Sequence, residues 1–599
     1  MTQNGKPAPK PAASSAAKPT PQPTPQPAPR PAPRPAAKLV AAMASLCALG
    51  ALGGIGGCAE LPRSGPVQQG SRAEGREEPY VQAVAAPPAP DANLDQIVQG
   101  FLQAMLAGNS DDFKVARSYL TEEAAAVWNP LAQVTIYQSG EAPGVAEAGT
   151  QLGRVALTVT QVAVVDGSGR YAALEPTPWT QTLALSQDPE SQWRISELAD
   201  GIVIPEDVFR GDYVATKVYF PSADGQFLVP DQRLFARANA ATAAVKEFLA
   251  GAPPYLTGAV GAVVPSGTRL LSDTVKVTDS VAVVNLSAAI SRASETARAT
   301  VLACLRASLT ALPNVNDVVL QSESVPLEVR QAPSLEVDPK AGADLFYLGD
   351  AGVWRITDDL PAVIADTEAA VAWESLTVDH SGARMAGLEA GQIKLLDPAK
   401  SELRELALPD AAGPVTVPPA FDRLGWVWAA LDGAVAAFSA EGEPVKLGAT
   451  WLDGRRVVAL APARDGARLA LAVEAETGVE LLVSGIVRGE GAVPWRLTGP
   501  LAAGSVATAV SGLAWADDVS LAFLAAPGGA EGPAPAVFTV GGDLTFLKSP
   551  TDPPTALTAG RGRTEIYVAG RSGGLFSYLP QGRIWAPLAS GARCVTLAP

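Results

Sequence analysis

Two stretches in the C-terminal half share one pattern. Leu376-Thr377-Val378-Asp379-His380-Ser381-Gly382-Ala383-Arg384-Met385-Ala386 comes back, altered but in step, as Leu460-Ala461-Pro462-Ala463-Arg464-Asp465-Gly466-Ala467-Arg468-Leu469-Ala470. Weaker copies stand at Ala420–Trp428, Leu513–Leu521 and Leu557–Tyr567. Each copy is a short apolar run, a turn built on Asp or Gly, and a second apolar run, which reads as two neighbouring strands. The starts fall about 40–50 residues apart, the period of a propeller blade. Residues 340–599 therefore read as a β-propeller of about six blades. A pair of β-sandwiches would use the same short strands, but the recurrent Asp-Gly turn ahead of an apolar strand favours the propeller.

Upstream the period changes. Leu94, Ile97, Val98, Phe101, Leu102, Met105 and Leu106 fall on one face of a helix. Asn93, with Gln96 three residues on, predicts its N-cap, and Gly108 its end. A second helix is predicted near residues 111–119 and a third from Thr121 to Trp128. Beyond it Val155, Leu157 and Val159 alternate with smaller or polar residues, and further strands are predicted at residues 182–185 and 193–195. Helices followed by a strand meander predict an α+β domain over residues 91–210. Its Trp128, Trp179 and Trp193 are read as core side chains, with a ligand pocket as the alternative.

A second α+β domain is predicted over residues 211–332. A strand, Thr216–Pro221, leads into a helix with the apolar face Leu234, Ala238, Ala241, Val245, Phe248 and Leu249, stopped by Gly251 and Pro253-Pro254. A hairpin turns at Thr278-Asp279-Ser280. A helix then carries Ala297, Val301, Leu305, Leu309 and Leu312, and Val315–Gln321 closes the domain. The runs Phe248-Leu249-Ala250-Gly251, Pro265-Ser266-Gly267-Thr268 and Val281-Ala282-Val283-Val284-Asn285-Leu286-Ser287 resemble the GerMN domain. That is an α+β family of exported bacterial proteins with no catalytic residues to carry over.

Residues 39–57 are uncharged and rich in Ala, Leu and Gly, and the Pro-rich segment before them has only basic charges. A basic region, a short apolar run and small residues read as an export signal. Ile55-Gly56-Gly57-Cys58 resembles a bacterial lipobox, which implies cleavage between Gly57 and Cys58 and a Cys58 that becomes an N-palmitoyl, S-diacylglycerol cysteine. An uncleaved transmembrane helix is the other reading, since about 18 apolar residues can span a bilayer. The pairs Gly50/Gly54 and Gly53/Gly57 also fit GxxxG. Small residues crowding towards one cysteine favour processing. On this reading residues 1–57 are n-region and signal peptide. Residues 58–90 are a lipidated flexible tether, with an r.m.s. reach of ~30 Å for about thirty residues.

The full chain carries −16, and the six basic residues before Cys58 face no acid, so the remainder carries −22. Such a body is repelled by nucleic acid and by anionic head groups. No nucleic-acid partner is expected, and the lipid on Cys58 must supply the membrane affinity. His380 is the only histidine, which nearly excludes His-based general-base catalysis and multi-His zinc sites. Its neighbours Asp379 and Ser381 do not make a triad, because adjacent residues rarely face one another as one requires. Asp358-Asp359 and Asp517-Asp518 read as turn carboxylates; a glycosidase needs its pair about 5–10 Å apart across a cleft. Cys304 and Cys594 read as buried small apolar residues. No P-loop or dinucleotide fingerprint is visible. No catalytic residue, cofactor or metal site is expected.

Lipobox, helical-start α+β domain, GerMN-like domain and propeller, in that order, resemble the actinobacterial LpqB lipoprotein family. Ile97-Val98-Gln99-Gly100-Phe101-Leu102, Ala116-Arg117-Ser118-Tyr119-Leu120-Thr121 and Ala124-Ala125-Ala126-Val127-Trp128 are similar to its N-terminal region. The resemblance implies a lipid-anchored protein on the extracytoplasmic face of the cell membrane. It further implies binding to, and modulation of, the sensor histidine kinase of an MtrAB-like two-component system linked to cell-envelope growth and division. A carbohydrate-active propeller enzyme and a passive envelope-binding module are the alternatives.

Overall fold

The computed structural model describes residues 85–147, 153–330, 333–408, 414–506, 508–526 and 532–599. Residues 1–84, on which the expected signal peptide, Gly57, Cys58 and most of the expected tether fall, lie outside the described residues. No described helix is long and apolar enough to cross a membrane.

The first domain opens with the helix Leu94–Asp111, whose start is a full capping box. Asn93 Oδ1 accepts the Gln96 N–H and Gln96 Oε1 accepts the Asn93 N–H, both at 2.9 Å. The helix does not stop at Gly108; it ends at a left-handed Asp112. Gly108 instead permits a close approach, since a Cβ there would lie 2.1 Å from Phe113 Cδ1. Phe113 folding back also shortens the expected second helix to Lys114–Arg117. The third, Glu122–Val127, is capped by Thr121. Behind them lies a sheet in the order Trp193–Glu197, Tyr171–Gln187, Arg154–Asp166, Gln133–Tyr137, Ile202–Pro205, the last two strands parallel. Trp128 is buried between Phe101 and Phe113, and Trp179 and Trp193 pack on the same core.

In the second domain Tyr213–Pro221 and Phe227–Ala236 pair antiparallel, and the helix is Ala240–Ala250. Leu234 therefore belongs to a strand and Ala238 to the turn after it, which corrects the longer helical face read from the sequence. The period of two was masked because two of the buried alternate positions, Val229, Asp231, Arg233 and Phe235, are charged. The hairpin Lys276–Thr278/Val281–Leu286 turns through left-handed Asp279 and Ser280. Helix Glu295–Leu309, capped by Ser294, returns the chain to Asp317–Ser322, parallel to Val281–Leu286.

The rest is a ring of six small antiparallel sheets. Blade one holds Leu345–Gly349, Gly352–Thr357 and Leu360–Val363, and its innermost strand is Cys594–Leu597, so the last strand closes the ring. The innermost strands of blades two to six are Thr377–Val378, Ala420–Phe421, Val457–Pro462, Ala509–Trp515 and Pro554–Ala559. The repeat recognised in the sequence is the turn that leaves these strands. Asp379, Asp422 and Asp465 each accept a backbone N–H there, from Ala383, Leu424 and Ala467 at 3.0, 2.9 and 2.9 Å. The glycines that follow, Gly382, Gly425 and Gly466, have φ of +69°, +86° and +71°, where a Cβ would be strained.

Blade four differs from its neighbours. Its strand Val479–Arg488 meets Leu501–Val506 along residues 479–483 and Pro494–Leu497 along residues 486–488. At the gap between them the second domain docks through its turn Pro254–Leu256. Thr498 Oγ1 donates to the Tyr255 carbonyl at 2.6 Å and accepts the Gly485 N–H at 2.8 Å. A Cβ on residue 485 would sit 2.5 Å from the Tyr255 oxygen and 2.8 Å from Ala259 Cβ. Around this joint one apolar core runs from Phe220, Phe248 and Tyr255 to Leu481, Phe523 and Phe538. Gly485→Val will therefore separate the second domain from blade four. Small-angle scattering should report a larger radius of gyration and protease a newly exposed seam; an unchanged radius would refute the joint.

Candidate functional site

Three places concentrate polar or concave surface. At the hub, the innermost strands surround a cavity of about 450 Å³. Hydroxyls line it, and several already tie strands together. Thr377 Oγ1 accepts the Phe421 N–H at 3.1 Å, Thr558 Oγ1 the Leu597 N–H at 3.3 Å, and Ser375 Oγ the Leu388 N–H at 3.1 Å. The lining guanidiniums are likewise engaged. Arg464 donates to the carbonyls of Pro339 and Trp515 at 2.7 and 3.0 Å, and Arg593 to those of Trp373 and Val371 at 3.2 and 2.6 Å. The lumen can hydrogen-bond a small polar guest; the one side-chain carboxylate among its lining residues, Glu374, accepts the Ala390 N–H at 3.3 Å.

The residues inspected for chemistry stand apart. His380 Nδ1 lies 2.6 Å from the Pro599 oxygen, whereas Asp379 is engaged by Ser381 Oγ at 2.8 Å and Arg384 Nε at 2.9 Å. The three do not form a relay. Asp358 and Asp359 occupy a left-handed turn. Asp517 accepts the N–H groups of Val519 and Ser520 at 2.9 and 2.7 Å. Cys304 and Cys594 are buried in separate domains, and burial pushes the Cys594 thiol up to about 12. Among the described residues no three His, Cys, Asp or Glu side chains gather to hold a metal ion.

Sequence reasoning missed the seams between domains. Asp231, only 1 % exposed, accepts from Arg233 Nε at 2.6 Å and from the Tyr255 hydroxyl at 3.0 Å, and pairs with Arg170 at 3.3 Å. Arg170 comes from the hairpin turn of the first domain, whose Gly169 carbonyl also accepts the Leu234 N–H at 2.7 Å. Asp518, read as a turn residue, reaches across the other seam. It pairs with Lys217, accepts the Tyr219 hydroxyl at 2.9 Å, and gives its carbonyl to Arg468 at 2.6 Å. Burial first, and Asp518 second, raise the Tyr219 phenol well above its ordinary value, so it stays a donor. These groups are spread over several sheets, and no local spacing announces them.

The third place is in the second domain. Phe248–Gly251 and Pro265–Thr268, two of the runs that carry the GerMN resemblance, meet around a cavity of about 460 Å³. Phe220, Val260, Val263 and Val264 complete an apolar wall, and none of the lining residues is acidic.

The comparisons with known proteins follow this architecture. Residues 87–210 match the family model described as the Lipoprotein LpqB N-terminal domain. Residues 217–328 match that of sporulation and spore germination, and residues 352–594 that of the Lipoprotein LpqB beta-propeller domain. A Lipoprotein LpqB of Bifidobacterium longum is 28% identical over 78% of this chain and 82% of its own length. One of Streptomyces coelicolor is 27% identical over 74% of this chain and 78% of its own. The Lipoprotein LpqB of Cutibacterium acnes is 32% identical, and there the alignment spans 40% of each protein. With three matching domains in the order that the sheets and helices describe, the chain belongs to the LpqB lipoprotein family.

Proposed function

We propose that this protein is a lipid-anchored, extracytoplasmic binding protein that docks on the sensor histidine kinase of an MtrAB-like two-component system and biases its signalling. Cys58, freed by cleavage after Gly57 and diacylated, would hold the chain at the membrane surface. The following tether would let the folded domains search the space around it. Confinement of this kind raises the effective concentration near a membrane partner, to the millimolar range for short flexible linkers.

The observation that carries the reading is the continuity of the folded body. The second domain fills the gap in blade four, and its buried acid Asp231 also clamps the first domain. Three domains joined in this way present one combined surface rather than three independent ones. Binding one kinase state more tightly than another would then shift the kinase equilibrium, and about 1.4 kcal/mol of difference moves the ratio tenfold. Affinity capture of the full chain from solubilised membranes should enrich a sensor kinase, and capture of that kinase should return this chain. Absence of the kinase from both captures would remove the support for this reading, and retention on cell-wall sacculi without turnover would favour a passive envelope-binding module.

A further inference from the structure

We infer that the hub of the propeller binds a small hydroxylated carboxylate of the sugar-acid type, with Arg464 as its counter-ion. The site goes beyond the kinase reading and does not depend on it. The hub cavity, at about 450 Å³, is in the range of small-molecule sites. Arg464 lines it and is only 7 % exposed. Burial sets this guanidinium apart from the exposed arginines that lack an acid, because water solvates those, whereas a buried charge needs a partner. The buried arginines among the described residues are Arg233, Arg464 and Arg468. Arg233 pairs with Asp231 and Glu247, and Arg468 with Asp465. Of the three, Arg464 alone has no carboxylate within 4.0 Å among the described residues.

Backbone carbonyls hold Arg464 in place. Its Nε and Nη1 donate to Pro339 and Trp515 at 2.7 and 3.0 Å, while Nη2 has no hydrogen-bond partner among the described residues. Asp338, Asp465, Asp517 and Asp518 surround a small void beside it, and each is committed elsewhere. Their partners are Lys340, Arg468, the Val519 and Ser520 N–H groups, and Lys217. None of these four acids lines the hub cavity. A guest carboxylate there would supply the missing counter-ion through charge-assisted hydrogen bonds. The walls select for hydroxyls on the same guest. Thr377 and Thr558 accept strand N–H groups at 3.1 and 3.3 Å, and neither hydroxyl donates a bond among the described residues. Each keeps its O–H for an acceptor on the guest. Ser511, exposed on the innermost strand of blade five, adds a hydroxyl with no partner among the described residues. The chain's net charge of −16 opposes a small anion only weakly at a distance, because the Debye length at physiological salt is about 8 Å.

The test titrates the full lipidated chain, in phosphatidylcholine nanodiscs, with D-glucuronate, D-glucose and inorganic phosphate by calorimetry. Glucuronate should bind saturably, and glucose, which has the hydroxyls without the carboxylate, should bind about tenfold more weakly. Arg464→Gln should weaken glucuronate by about the same factor and leave glucose unchanged. Because Arg464 also bonds to two carbonyls, a lowered melting temperature in that variant passes the decision to Ser511→Phe. That substitution fills the lumen, leaves those bonds in place, and should abolish glucuronate binding. Equal affinity for glucuronate and glucose in the wild type would overturn the proposal. So would glucuronate binding that survives in a fully folded Arg464→Gln chain or in Ser511→Phe. Arg464-dependent binding of phosphate without binding of glucuronate would overturn it in favour of a bare oxyanion site, and binding of neither would overturn it outright.

Discussion

Asp231→Ala will destabilise the second domain by about 3–5 kcal/mol and loosen its hold on the first. The carboxylate is 1 % exposed and takes hydrogen bonds from Arg233 and Tyr255 and a charge contact from Arg170. Removing it strips Arg170 of its carboxylate partner, leaves Arg233 to Glu247 alone, and leaves a buried hydroxyl without its acceptor. The cost of breaking a buried pair from one side is of that size because the remaining charge is uncompensated. Glu247 does not rescue the site. It already pairs with Arg233 at 3.1 Å, and burial, followed by the opposing effect of Arg233 and the repulsion of Asp231, leaves its carboxyl above the ordinary range. Asp231→Asn keeps the shape and loses only the charge, so it should fall between the wild type and the alanine variant. Unfolding a chain of several domains is not two-state. The readout is therefore the urea transition of this domain, followed by hydrogen exchange in Phe227–Ala236. A change under about 0.5 kcal/mol, within the range of ordinary surface substitutions, would show that the network is incidental.

Cys58→Ala will abolish lipid attachment and leave residues 1–57 uncleaved. The consequence is nearly all-or-none, because a single acyl chain binds membranes only marginally while two anchor stably. The part of the chain beyond Cys58 carries −22, so its net charge supplies no attraction to anionic lipid that could compensate. Radiolabelled palmitate should fail to enter the variant, which should also run as the longer precursor. Normal incorporation would place the lipid elsewhere or nowhere near this cysteine.

The contrast between what the sequence disclosed and what it hid follows from the range of the interactions. The capping box at Asn93 and Gln96, the Thr121 cap, and the Asp379, Asp422 and Asp465 turns are local, and their spacing alone announced them. The misread helix at Leu234 shows the limit of hydropathy. A strand that buries Asp231 and Arg233 against Arg170 and the Ser168 carbonyl of the first domain looks polar where it is most enclosed. Gly108 shows a similar limit, since its use is contact with Phe113 and not helix termination. The seams were invisible for a plainer reason. Lys217 and Asp518, or Tyr255 and Thr498, are hundreds of residues apart, and only the closed ring brings them together. Of the candidate site, the apolar runs that form the cavity wall were legible as a family pattern.

The most direct test of the account is kinase activity in one membrane. The sensor kinase is reconstituted in liposomes, and its autophosphorylation is followed as the lipidated chain, or the same mature chain without lipid, is titrated in. The lipidated chain should change the rate several-fold, at roughly 100-fold lower total concentration than the chain without lipid, as confinement to the surface requires. An autophosphorylation rate that stays constant across the whole titration, with the lipidated chain demonstrably in the same liposomes, would contradict it.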